Sequence, residues 1–174
     1  MTIDSKTLAT LLSATKVLLV DDEPYMRKVV RAMLMSIGVR NIYEANDAPA
    51  GLELIRTIAP DAVVLDWEMP GVDGPSFVRA VRSPDTFPYP AVPIIMLTGH
   101  GERRRVVEAV KLGVNEFLLK PVSSKALHDR LVSVLTQPRP VVHSDCYYGP
   151  APRKMVASIN ADNDETIASL FVVN

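Results

Sequence analysis

Short, nearly unbroken apolar runs alternate along this chain with longer stretches in which apolar residues recur every three or four positions. Lys16 to Val20, Ala62 to Leu65, Val92 to Leu97 and Phe117 to Leu119 are rich in Val, Leu and Ile, the pattern of parallel strands buried on both faces. Asn41 to Ala45 reads as one more strand. Between them, Pro24 opens a helix in which Met26, Val29, Val30, Met33, Leu34 and Ile37 share a face until Gly38 stops it. Asn46 or Asp47 caps a helix through Leu52, Leu54, Ile55 and Ile58, ended by Pro60. Pro75 to Val81 and Glu102 to Leu112 follow, the latter closed by Gly113, and Ser123 caps a last helix through Ala126, Leu127, Leu131, Val134 and Leu135.

Strands alternating with helices in this way predict an α/β fold: a doubly wound, five-stranded parallel sheet with helices on both faces, over residues 16–136. In the leader, residues 1–15, Leu8, Leu11 and Leu12 follow Asp4 or Ser5 as a cap, so a short amphipathic helix and a frayed segment are alternatives. Ser83 to Val92 contains Pro84, Pro88 and Pro90 and is expected to make a surface excursion. The stretch Gln137 to Lys154 is rich in Pro and turn residues and has no helical or strand period. Within it, Tyr147-Tyr148-Gly149-Pro150, with Arg153 and Lys154, reads equally as a recognition motif and as a loop packed on its own domain. Asp162 to Asn174 suits a docked helix or edge strand, or a loose terminus. This extension, 137–174, is too short and irregular for a winged-helix or helix-turn-helix output domain.

The 174 residues are 48% hydrophobic and 22% charged, which is ordinary globular material able to bury one core. A formal net charge of -1 disfavours non-specific binding to nucleic acid. Cys146 is the only cysteine, so neither a disulfide within the chain nor a cysteine zinc site can form. No apolar run approaches the length of a membrane span, and a cytoplasmic protein is expected.

Asp21 with Asp22, Asp66, Thr98 and Lys120 change the picture, because each lies just past an apolar run. In a doubly wound sheet these are the carboxyl ends of strands, where ligands bind. Three carboxylates brought together repel unless a cation or protons intervene, so the set points to a divalent metal and a phosphate-like ligand. Taken singly, an acid pair can cap a helix, a threonine can make a turn and a lysine can be solvated. Four strand ends carrying these types in concert argue against that.

The segments Val17-Leu18-Leu19-Val20-Asp21-Asp22-Glu23, Val63-Val64-Leu65-Asp66-Trp67-Glu68-Met69-Pro70-Gly71-Val72-Asp73-Gly74, Pro93-Ile94-Ile95-Met96-Leu97-Thr98-Gly99 and Phe117-Leu118-Leu119-Lys120-Pro121 resemble the receiver domain of two-component response regulators over about residues 16–136. The resemblance implies the flavodoxin/CheY-like fold and a stand-alone signalling protein that catalyses only its own phosphorylation and dephosphorylation. It implies that Asp66 accepts a phosphoryl group from a sensor histidine kinase or histidine phosphotransfer protein. It further implies that Asp21, Asp22, Asp66 and the main-chain carbonyl of Glu68 hold Mg²⁺, and that Thr98 and Lys120 contact the phosphoryl oxygens. Glu68, Gly99 and His100 are expected to flank the pocket, Thr98 and Phe117 to form the switch, and Pro121 to follow a cis peptide bond. Phe117 lacks a hydroxyl, so switching through it must work by packing.

The family's output surface corresponds to the predicted helix over Glu102 to Leu112, the strand at Phe117 and the final helix. A downstream protein partner or a dimer contact is expected there, and Arg103, Arg104 and Arg105 lie on it, although a charge run is more often a solvated face. A phosphorelay intermediate or phosphate sink is an alternative. Of other classes, a small-molecule phosphohydrolase is disfavoured because Asp66-Trp67-Glu68 lacks the second aspartate of haloacid-dehalogenase-like enzymes, and a DNA-binding regulator lacks a basic module.

Overall fold

The structure, a computed structural model, describes residues 4–99 and 103–151. In chain order it contains α1 (Ser5–Ala14), β1 (Lys16–Val20), α2 (Pro24–Ser36), β2 (Asn41–Ala45), α3 (Ala48–Ile58), β3 (Ala62–Asp66), α4 (Gly74–Val81), β4 (Ile94–Thr98), α5 (Arg103–Leu112), β5 (Glu116–Leu119), α6 (Ser124–Thr136), β6 (Val141–Ser144) and β7 (Tyr147–Pro150). The main sheet has five parallel strands in the order β2-β1-β3-β4-β5. Sequence order reverses at β1, which creates a crevice at the carboxyl edge between β1 and β3.

Side chains of each strand point alternately to opposite faces, and here both faces are covered. Leu18, Val20, Val63, Leu65, Ile94 and Met96 belong to one core with Ile55 of α3, Phe77 of α4 and Ala109 of α5. Val17, Leu19, Val64, Ile95 and Leu97 belong to the other, with Leu12 of α1, Leu34 of α2 and Leu131 of α6. Because neither face of β1, β3 and β4 meets water, their runs are apolar, and polar residues are admitted only at the ends.

Caps fix where the helices begin. Asp47, Asp73 and Ser123 accept from the main-chain N–H of Ala50, Ser76 and Ala126, respectively. Asp4 does the same for Lys6 and Thr7, so the leader is helical. Leu12 buries it against the second core, and Asn41 Nδ2 donates to the Ser13 and Ala14 carbonyls.

Two segments are more ordered than their sequence predicts. The excursion after α4 buries Phe87 and Val92, and Arg56 lies 4.7 Å over the Phe87 ring. It is gathered around Arg82, whose buried guanidinium donates to the carbonyls of Pro90, Val92 and Gly113 and to Asn115 Oδ1. Burial pulls Arg82 down to about 10, which leaves it charged at neutral pH. The second segment is the stretch read as irregular from Gln137, which contains an antiparallel hairpin of β6 and β7. Asp145 and Cys146 form its two-residue turn, the commonest hairpin length. All of β6 is exposed, so no alternation betrays a strand.

Backbone proximity and one arginine hold the hairpin in place. A Cβ on Gly113 would stand 2.9 Å from the Tyr148 carbonyl oxygen, and one on Gly149 would stand 2.9 Å from Gly113 Cα. Arg139 donates to the carbonyls of Asn115 and Ala151. The last 23 positions, 152–174, which include the predicted docking segment Asp162 to Asn174, lie outside the described residues.

Arg82→Met removes the donor that several buried carbonyls share, and is expected to lower the unfolding free energy by roughly 3 kcal/mol. Urea denaturation measures this; a loss below about 1 kcal/mol would show that the excursion does not depend on the guanidinium.

Candidate functional site

Strand register brings the acids together. Val20 of β1 is level with Leu65 of β3, and Asp66 is level with Leu97 of β4, so Asp21, Asp66 and Thr98 emerge at one edge. Carboxylate oxygens of Asp21, Asp22 and Asp66 all lie within 4.8 Å of one another. Asp66 is only 6% exposed and Asp21 1%. Lys120 Nζ donates to Asp66 Oδ1 at 2.8 Å and stands 3.5 Å from Asp21 Oδ2. Asp21 Oδ1 accepts from the Glu23 N–H at 2.8 Å, whereas Asp21 Oδ2 is buried without a hydrogen bond.

The electrostatics follow from burial. Desolvation raises Asp66 above the ordinary aspartate range, the nearby charge of Asp21 adds to the rise, and the Lys120 ammonium only partly offsets it. Burial alone would pull Lys120 down; its hydrogen bond to Asp66 and the charges of Asp66 and Asp21 outweigh that and hold it above the ordinary lysine range. Hard oxygen donors converging on one point, one of them buried without a hydrogen-bond donor, fit a divalent cation of the Mg²⁺ type.

The loop after β3 forms the other wall. Gly74 N donates to the Trp67 carbonyl at 2.9 Å, and a Cβ on Gly74 would stand 2.6 Å from the Asp66 carbonyl oxygen. Only glycine lets the start of α4 lie this close beneath the acid. Trp67, Glu68, Met69, Pro70, Asp73 and Arg105 line a cleft of about 420 Å³. Glu68 Oε1 meets Arg105 Nη1 at 2.8 Å, the Arg105 guanidinium stands 5.5 Å over the Trp67 ring, and Trp67 meets Phe117 edge-on at 6.3 Å.

Of the residues singled out in the sequence, Asp21, Asp22, Asp66 and Lys120 come together as one cluster. Thr98 is fully buried at the end of β4, its carbonyl accepting from Lys120 N at 2.7 Å. The Lys120–Pro121 bond is cis, and among the described residues nothing lies within 4 Å of where a Cβ on Gly99 would stand. Phe117 is buried in the core against Trp67. His100 lies outside the described residues, as does the side chain of Arg103. The arginine run does not act as a unit: Arg104 is exposed, while Arg105 turns to the loop after Asp66. Neither this use of Arg105 nor the close approach at Gly74 was anticipated. Glycine directly after the capping Asp73 was the available signal for the second.

Comparison with known proteins agrees with this geometry. Residues 17–132 match the response regulator receiver domain model. The chain is 32% identical over 119 residues to the chemotaxis protein CheY of Pseudomonas aeruginosa, covering 68% of this chain and 94% of that protein. It is 35% identical over 121 residues to CheY1 of Helicobacter pylori, covering 69% and 96%. Among solved structures, CheY4 of Vibrio cholerae superposes with a TM-score of 0.63 at 31% identity, covering 70% of this chain and 98% of that one. The Francisella response regulator 1452 receiver domain gives 0.65 at 27%, covering 72% and 99%.

Two outcomes are expected. Gly74→Ala forces the α4 start away from the acid-bearing loop and should cost roughly 1–3 kcal/mol in urea unfolding. It should also weaken Mg²⁺ binding measured by calorimetry, and unchanged affinity would show that the loop absorbs the methyl. For Asp66, the folded pKa exceeds the unfolded one, so ionisation opposes folding once the pH passes the ordinary aspartate range. Asp66→Asn should therefore be more stable than wild type at pH 7. Its advantage should shrink as pH falls through the raised value and vanish where both states are protonated. A variant no more stable at pH 7 would mean that the Lys120 contact outweighs burial.

Proposed function

The chain belongs to the response regulator receiver family, and from that premise we propose that Asp66 is its phosphoryl acceptor, loaded by a histidine kinase or histidine phosphotransfer protein. What carries the reading is the convergence of Lys120 and two further carboxylates, Asp21 and Asp22, on one buried aspartate at the carboxyl edge of the sheet.

A carboxylate oxygen of Asp66 attacks the phosphorus of a phosphohistidine, a P–O bond forms, the P–N bond breaks, and the imidazole leaves with the bonding pair. Burial has already removed most water from Asp66, so the nucleophile is not masked by a hydration shell. Lys120, which neutralises Asp66 beforehand, passes its N–H to a phosphoryl oxygen as charge moves outward. On this reading Thr98 donates its hydroxyl to another phosphoryl oxygen. Asp21, Asp22, Asp66 and the Glu68 carbonyl would hold Mg²⁺, which would supply charge neutralisation for the phosphoryl group. Glu68, Gly99 and His100 border the pocket, and Thr98 and Phe117 form its switch.

The phosphorylated form signals to a downstream protein, with α5, β5 and α6 as the surface read by that partner or by a second copy. Its work is signalling, and the only reactions it promotes are at its own Asp66. Among the described residues no helix is long and apolar enough to cross a membrane, which suits the cytoplasmic site of action proposed here.

Incubation with Mg²⁺ and acetyl phosphate, followed by intact-mass measurement, is expected to add one phosphoryl group to wild type and none to Asp66→Asn. Absence of that mass on wild type with both acetyl phosphate and a kinase donor would sink the reading.

A further inference from the structure

Arg105 has two partners in the loop that follows the acceptor. It lies in the first turn of α5, pairs with the carboxylate of Glu68 at 2.8 Å, and covers the ring of Trp67 at 5.5 Å. Trp67 and Glu68 are the two residues directly after Asp66, and Trp67 continues edge-on to Phe117 of β5. One side chain thus joins the acceptor loop to α5 and, through Trp67, to β5.

Stability does not explain the pair. The Glu68 side chain is 53% exposed and that of Arg105 is 26% exposed, and ion pairs this open to solvent contribute little. What the pair does fix is the position of a negative charge. Three carboxylates already crowd the edge of the sheet, with Lys120 between two of them. Glu68 follows Asp66 by two residues and would bring a fourth. Bound to Arg105, its charge is neutralised and drawn toward α5.

We propose that Arg105 is a positioning residue of the acceptor pocket, which holds the Glu68 carboxylate aside and clamps Trp67, thereby setting the pocket's affinity for Mg²⁺ and tying it to α5. This rests on reading the acid cluster as the receiver's metal site. Losing Arg105 withdraws the guanidinium that draws the Glu68 charge toward α5, so more of that charge's field reaches the cluster, which tightens divalent-cation binding and loosens Trp67.

Calorimetric Mg²⁺ titration of wild type, Arg105→Ala, Arg105→Ala with Glu68→Gln, Arg105→Lys and Arg104→Ala tests the first part. Arg105→Ala is expected to bind Mg²⁺ about three- to tenfold more tightly, as one unscreened charge near the site would produce. Adding Glu68→Gln should cancel that gain, and Arg105→Lys should lie between. Arg104→Ala removes the same charge from the same turn and should change affinity less than about twofold. Equal effects of the two alanine variants, or a gain that survives Glu68→Gln, would overturn the proposal.

Acrylamide quenching of Trp67, the sole tryptophan, supplies an arm that needs neither metal nor phosphate. Arg105→Ala should raise the quenching constant and Arg104→Ala should not. If wild type binds no Mg²⁺, the proposed function fails on that result. The affinity role then falls with it, and quenching alone decides whether Arg105 clamps the loop.

Discussion

Three carboxylates can share the edge of an apolar sheet only because Lys120 stands among them. Its ammonium meets Asp66 at 2.8 Å and Asp21 at 3.5 Å, in a place where burial works against the charged form of Asp66. The compensation is incomplete by construction, since Asp21 keeps a buried oxygen without a hydrogen bond and Asp66 stays above the ordinary aspartate range. An edge left short of positive charge has an affinity for cations built into it. The rest of the architecture serves to keep that deficit in one place: β1 and β3 end level, the helices seal both faces, and Gly74 lets α4 press up beneath the acid.

The fold was legible because burial on both faces leaves an unambiguous trace. A strand such as Val63-Val64-Leu65 has no polar position to confuse its reading, and Asp66 at its end is conspicuous for the same reason. Asp21, Asp22 and Lys120 could be assigned to one pocket before any coordinates, because strand ends in such a sheet are neighbours by topology. The contacts that escaped are those with no period behind them. In the hairpin, β6 buries nothing, so its register rests on backbone pairing and on Arg139, neither of which leaves a pattern of side-chain types. Arg82 carries no sequence signal beyond its place at the end of a helix, and only the folded path of the proline-rich excursion shows that its donors are spoken for.

Arg105 illustrates a different limit. Three consecutive arginines read as one charged face, yet neighbouring residues on a helix point about 100° apart, so adjacent members cannot share a surface. Arg104 is directed to solvent and Arg105 to the loop after Asp66, where an acid and an aromatic ring are both available to a planar guanidinium. The sequence lists the charges but not their azimuth.

The position of the hairpin has a consequence for traffic around the molecule. Arg139 anchors it to Asn115 and Ala151, and the Asn115 N–H bonds the Ile94 carbonyl, so this attachment is at the amino-terminal edge of β4 and β5. Asp66 lies at the opposite edge, roughly 17 Å away for a five-residue strand. The described chain therefore ends on the side of the sheet remote from Asp66. On the proposed reading, a histidine-bearing donor would approach Asp66 at the edge of the sheet opposite the one that holds the hairpin.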